Sequence, residues 1–213
     1  MLLSTNENKT KVQIFIQLAQ LYAFHLKDVF RAIELIDKAI ILNKDPSRSI
    51  KLNEILGDIY FSNLRKFEKS KKIYKELIQV RPKLVNYTEY KFRYAESLFF
   101  LNELEESLIQ FTELEESSGN FSNSKFKFRI ALINYFLKKY ELSIMGFKQI
   151  IDGNFAYSFK IKSAFYLAGL YDDLNELENS FKYYNLIKYD YPNTELIEKK
   201  INSIIKRKTE IRL

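Results

Sequence analysis

The chain has no cysteine and no tryptophan, one histidine, five glycines and three prolines among 213 residues. Without cysteine there is no disulfide framework and no thiolate chemistry, which suits a reducing compartment and a cysteine-free envelope protein equally. His25 has no second histidine to complete a metal site, so it reads as a turn or packing residue. The glycines, at 57, 119, 146, 153 and 169, are dispersed, and neither common glycine-rich phosphate loop is present. The acidic run Asp172, Asp173, Glu176, Glu178 fails as a calcium loop, because position 178 carries glutamate where the loop needs glycine. No pair of carboxylates is marked by an apolar setting as an acid and base. We expect no catalytic residues, no cofactor and no metal, hence a chain that is not an enzyme.

Scarce glycine and proline also leave little material for linkers, and 46% hydrophobic with 29% charged residues fits an ordered chain. The net charge is +7, but 34 basic and 27 acidic residues are interspersed, as on solvated helix faces. The first ten residues, MLLSTNENKT, lack the basic start and apolar core of a secretory signal. The expectation is a cytoplasmic chain, or a periplasmic or envelope one if the sequence is processed or truncated. The longest uncharged run, residues 12–26, is too short to span a bilayer and places Gln13, Gln17 and Gln20 on one helical face, so no transmembrane segment is expected.

What the chain does contain is a repeat. Small residues at Ala19, Gly57, Ala95, Ala131 and Ala168 recur every 36 to 38 residues. Three positions later stand Tyr22, Tyr60, Leu98, Asn134 and Tyr171. A second small column follows at Ala32, Ser70, Ser107, Ser143 and Ser180, then large residues at Ile36, Tyr74, Phe111, Phe147 and Tyr184, then Ala39, Leu77, Leu114, Ile150 and Ile187. Helical spacing puts these last three columns on one face, so each unit reads as a helical hairpin whose small residues let two helices approach. Pro82 and Pro192 lie eight residues after Tyr74 and Tyr184 as stop signals, with Pro46 slightly later in its own repeat. Residues 117–120 and 152–154 instead offer glycine in the left-handed conformation that ends a helix. The first two hairpins carry one extra residue, so their inner turns should differ. The first eight residues are expected to precede the first helix. A last amphipathic helix, about 194–208, with Thr194 as N-cap and Leu196, Ile197, Ile201, Ile204 and Ile205 on one face, would cover the open end.

The order small, aromatic, small, aromatic, proline, clearest in residues 167–192, resembles the tetratricopeptide repeat, whose period is about 34 residues. The resemblance implies an all-α fold, a right-handed superhelical solenoid of antiparallel helix pairs. It would be one domain over 1–213, with repeats at about 11–46, 48–82, 86–120, 122–154 and 156–192. It also implies a non-enzymatic protein–protein interaction scaffold or adaptor working in a multi-protein complex. In that family the positions three before, one after and four after the first small residue line a concave groove. They read Ile16, Gln20, Ala23; Glu54, Asp58, Phe61; Phe92, Glu96, Phe99; Phe128, Leu132, Tyr135; and Phe165, Gly169, Asp172. An aromatic strip flanked by acids would suit a partner segment with bulky apolar anchors and some basic residues; the same aromatics would equally suit packing against the next repeat. The family's Lys, Asn and Arg clamp for a terminal carboxylate is missing.

Two other patterns compete. Residues 65–75 are basic while 103–116 are acidic, as mutual compensation or as a polarised outer face. A nucleic-acid or acidic-surface binder would use the former with Lys199, Lys200, Lys206, Arg207, Lys208 and Arg212. An envelope assembly scaffold is the third reading, since YPN at 191–193 resembles hairpin endings of bacterial periplasmic family members.

Overall fold

Amphipathic segments of this spacing bury their small and apolar columns only by pairing, and the computed structural model, which describes residues 2–80, 86–117 and 124–211, shows how they pair. Among the described residues all regular structure is helical: α1 (Leu2–Gln20), α2 (Val29–Leu42), α3 (Pro46–Asp58), α4 (Phe67–Gln79), α5 (Tyr87–Phe100), α6 (Leu104–Ser117), α7 (Ser124–Phe136), α8 (Tyr140–Asp152), α9 (Tyr157–Asp173), α10 (Leu177–Leu186) and α11 (Thr194–Ile211). Packing divides them into two compact units, Met1–Glu103 and Leu104–Leu213, with the boundary inside the third repeat. Within each unit successive helices pack on one another.

The small columns do what close helix approach requires. Ala19, Ala32, Ala131 and Ala168 are wholly buried, and so are Ser70, Ser107, Ser143 and Ser180. Ser143 Oγ donates to Ala131 O and Ser180 Oγ to Ala168 O, both at 2.9 Å, so each hydroxyl is satisfied by the backbone it crosses. The large column, Ile36, Tyr74, Phe111, Phe147 and Tyr184, is buried in all five repeats, as is the column after it. Each large apolar side chain among them contributes about 1.5–3 kcal/mol by leaving water.

The inner turns share one closing bond. The backbone N–H that precedes each second helix donates to the carbonyl of the residue three after the first small one: Asp28 to Tyr22, Lys66 to Tyr60, Glu103 to Leu98, Lys139 to Asn134 and Glu176 to Tyr171, at 2.8–2.9 Å. A residue with φ of 51–61° comes just before each donor: Lys27, Arg65, Asn102, Lys138 and Asn175. A carbonyl needs no particular side chain, which explains how Leu98 and Asn134 replace the aromatic without loss of the turn. The extra residue of the first two hairpins is taken up as a π-helical turn, Leu21–His25 and Ile59–Asn63, closed by Leu26 N to Leu21 O and Leu64 N to Ile59 O at 3.0 Å.

Several helix ends differ from expectation. Helix α1 begins at Leu2 and so takes in the segment expected to precede it. Pro46 opens α3 rather than closing α2: it follows N-cap Asp45, whose side chain accepts from Ser47 N at 3.0 Å, and proline's missing donor has no bond to lose in the first turn. Gly153 ends α8 at φ −78°, not in the left-handed region; it is there for space, since a Cβ would lie 2.6 Å from Gln149 O and 2.7 Å from the Phe155 ring. The cap of α11 is Asn193, whose Oδ1 accepts from Leu196 N at 2.9 Å, and not Thr194. Pro82 and residues 118–120 lie outside the described residues. Ile197, Ile201 and Ile204 of α11 pack with Ala164, Ala168 and Tyr184, covering the last hairpin; Leu196 is half-buried and Ile205 is exposed.

Candidate functional site

In the first unit the marked positions are tied into an internal network. Glu54 takes Lys51 Nζ at 2.9 Å and Asn86 Nδ2 at 3.1 Å. Asp58 Oδ1 accepts from the buried Tyr74 hydroxyl at 2.6 Å, with Arg93 Nε 3.9 Å away. Burial first, then the Asp58 charge, push the Tyr74 phenol far above its ordinary range, so it stays a donor. The Arg93 guanidinium also lies 4.9 Å over the Phe61 ring, whose edge meets Phe67 and Phe100. Phe92 and Glu96 are buried, and Phe99 is half-buried beside Phe100. Helix α4 turns several bases outward, but Lys71 is paired with Glu103 at 2.5 Å and Glu68 at 3.1 Å. One link of the basic-to-acidic compensation therefore exists.

In the second unit Phe128 is core: it is 8% exposed and packs on Phe147, Phe159 and Tyr166 with centroids 5.7–5.9 Å apart. Leu132 is buried with it. The other marked residues converge. Tyr135, Phe165, Gly169 and Asp172 surround a cleft of about 290 Å³, together with Phe136, Tyr166, Asp173, Tyr184 and Lys200. Helices α7 and α9 supply the walls, and α11 supplies Lys200. The sequence register misses Tyr166 and Asp173, which stand one residue from marked positions, and Lys200, which lies outside any repeat.

The cleft is preorganised. The Phe165 ring stacks on Tyr191 at 4.6 Å and presents its edge to Tyr184 at 6.0 Å. Tyr135 Oη donates to Asp173 Oδ2 at 2.6 Å, and that bond, with burial second, pushes its phenol up to about 12. Asp172 is held by the Arg207 guanidinium, which also donates to Asn175 at 3.0 Å. Both rim acids are thus engaged within the chain. Tyr184 is 1% exposed as a residue and lines the cleft, where its hydroxyl oxygen is still reached by water and makes no hydrogen bond among the described residues. Burial, then the charges of Asp172 and Asp173, raise its phenol well above the ordinary value, so it remains protonated.

The first unit has hollows of its own, one of about 350 Å³ beside Lys9, Lys44 and Arg48 and one of about 500 Å³ beside Ile50, Glu76 and Val80. Of the C-terminal bases, Lys199 pairs with Glu195, Lys206 with Glu210, Arg207 with Asp172 and Lys208 with Glu178; Arg212 lies outside the described residues. His25 is exposed at the end of its π turn. No described helix is long and apolar enough to cross a membrane.

The family profile described as tetratricopeptide repeat matches residues 50–84. No curated protein sequence matches the chain. Among solved structures, that of YrrB, "a TPR protein with an unusual peptide-binding site", superposes with a TM-score of 0.66 at 14% identity, covering 92% of this chain and 94% of that one. MamA gives 0.61 at 13% identity over 76% and 84%. A thermophilic TPR protein of Thermus thermophilus gives 0.56 at 17% identity over 93% and 98%. At these identities the likeness concerns the fold.

Proposed function

We propose that the chain, which has the fold of tetratricopeptide-repeat proteins and matches their profile over residues 50–84, is a non-enzymatic interaction scaffold that holds a segment of a partner protein on the first-helix faces of its repeats. The observation that carries this reading is the cleft of about 290 Å³ in the second unit, where four family-register positions meet around an aromatic wall. YrrB, a protein of the same fold described as having a peptide-binding site, supports it.

The physics of capture follows from the lining. A bulky side chain entering between Phe165, Tyr166 and Phe136 leaves water, a gain of about 1.5–3 kcal/mol for one anchor. Asp172 is paired with Arg207 and Asp173 accepts from the Tyr135 hydroxyl, so both carboxylates keep a partner when an occupant displaces water. The Phe165–Tyr191 stack and the Tyr135–Asp173 bond hold the walls before binding, which reduces the ordering cost. A single well-packed anchor of this kind can dominate an interface.

Phe128 is a poor probe of this reading, because charge placed there would be buried in the core. Gly169→Leu is the cleaner one, since a Cβ at 169 meets only Tyr184 Oη, at 3.6 Å. Peptides selected on the wild-type chain from a random library should lose binding to Gly169→Leu while its melting temperature is kept. Unchanged binding would overturn the cleft as the site.

A further inference from the structure

The second and fifth repeats carry the same tyrosine in the same register, and only one of the two has its hydroxyl answered. Tyr74 Oη donates to Asp58, the residue one after the small Gly57. The residue one after the small Ala168 is Gly169, so at Tyr184 the equivalent carboxylate is missing. The absence leaves room: outside Gly169's own helix backbone and chain neighbours, only Tyr184 Oη lies within 4 Å of where a Cβ at 169 would stand. Tyr184 as a residue is 1% exposed and lines the cleft; its hydroxyl oxygen is still reached by water and makes no hydrogen bond among the described residues. A cation is beside it as well. Lys200 lines the same cleft and forms no ion pair among the described residues, whereas Asp172 is held by Arg207 and Asp173 accepts from Tyr135.

Resting on the cleft reading above, we infer that the partner group seated over Gly169 is a carboxylate, an aspartate or glutamate side chain that accepts from Tyr184 Oη and is charge-balanced by Lys200. Its binding mode copies the Asp58–Tyr74 pair, with Lys200 serving as the nearby cation as Arg93 does for Asp58. A hydrogen bond to a charged acceptor in a buried setting is among the stronger ones, and leaving such a donor unanswered is what a neutral apolar occupant would do. The apolar walls then take the residue next to the acid. This departs from the basic partner that the acidic flank suggested, because Glu54 is held by Lys51 and Asn86, Asp58 by Tyr74 and Asp172 by Arg207.

The test is selection of a random short-peptide library on the immobilised full chain, on Gly169→Leu and on Gly169→Asp. Wild type should enrich peptides with Asp or Glu at one fixed position, and both variants should lose them. Gly169→Asp supplies the missing acceptor from within. In fluorescence anisotropy with a selected peptide, Tyr184→Phe and replacement of the peptide acid by its amide should each weaken binding about tenfold, and the two losses should not add. Lys200→Gln should weaken binding and flatten its salt dependence. Peptides that need an open Gly169 cleft but carry basic or apolar residues there, and ignore Tyr184→Phe, would overturn the carboxylate and keep the cleft. Peptides that bind Gly169→Leu as they bind wild type, or an empty selection, would overturn both.

Discussion

Repeat two and repeat five are built on the same columns, yet the first is finished inside and the second is left open. In repeat two Gly57 is a packing device: a Cβ there would lie 3.0 Å from Tyr74 Cζ, and Asp58 beside it consumes the tyrosine hydroxyl. In repeat five the small role falls to Ala168, and Gly169 stands one position on, where it empties a space. One repeat uses its polar group for stability; the other keeps it available.

The strongest way to break the comparison is to remove the shared tyrosine. Tyr74→Ala and Tyr184→Ala should each cost about 3–5 kcal/mol in denaturant unfolding, because both rings are fully buried. A much smaller loss at Tyr184 would mean that the open cleft already lets its surroundings collapse. Next, Asp58→Ala should cost about 1–3 kcal/mol by stranding the Tyr74 hydroxyl, while Tyr184→Phe should change stability by less than about 0.5 kcal/mol. Equal effects would erase the distinction between a used and an unused donor. The two glycines should then part in sign: Gly57→Ala should destabilise by about 1 kcal/mol through overpacking, and Gly169→Ala should stabilise by about 0.5–1 kcal/mol through helix propensity.

The last test is in alkali. The folded Tyr135 phenol titrates near 12 against an ordinary value of 10.0, so its contribution is complete below pH 10 and is lost as pH rises from there through about 12. Tyr135→Phe should flatten the fall in stability over that window; an unchanged slope would argue against the Asp173 bond.

The repeat register was legible because backbone approach tolerates only small residues at a crossing. Ala32, Ser70, Ser107, Ser143 and Ser180 announce the second helices without any structure. The longer turns were legible too, from one added residue, although its form as a π turn was not. Helix ends were read less well. Pro46 and Gly153 act through first-turn geometry and local space, and neither shows in the identity of the residue. Among the groove positions, Tyr135, Phe165 and Asp172 reach the cleft, while Phe128 and Leu132 are buried in the second unit's core. Periodicity marks the face of a helix that a residue occupies. It does not tell whether a neighbouring ring closes over it.

By itself, then, the sequence determined the helical hairpins, their register and the amphipathic helix at the end, since these depend on spacing along one chain. Tertiary structure alone decided which polar groups find partners. Whether Asp172 meets Arg207, whether Lys200 finds a cleft, and whether a tyrosine hydroxyl is answered by Asp58 or left open over Gly169 all depend on residues well apart in the chain, 16 for Tyr74 and Asp58 and 35 for Asp172 and Arg207, arriving side by side. That is set by how helices cross, which no periodicity encodes.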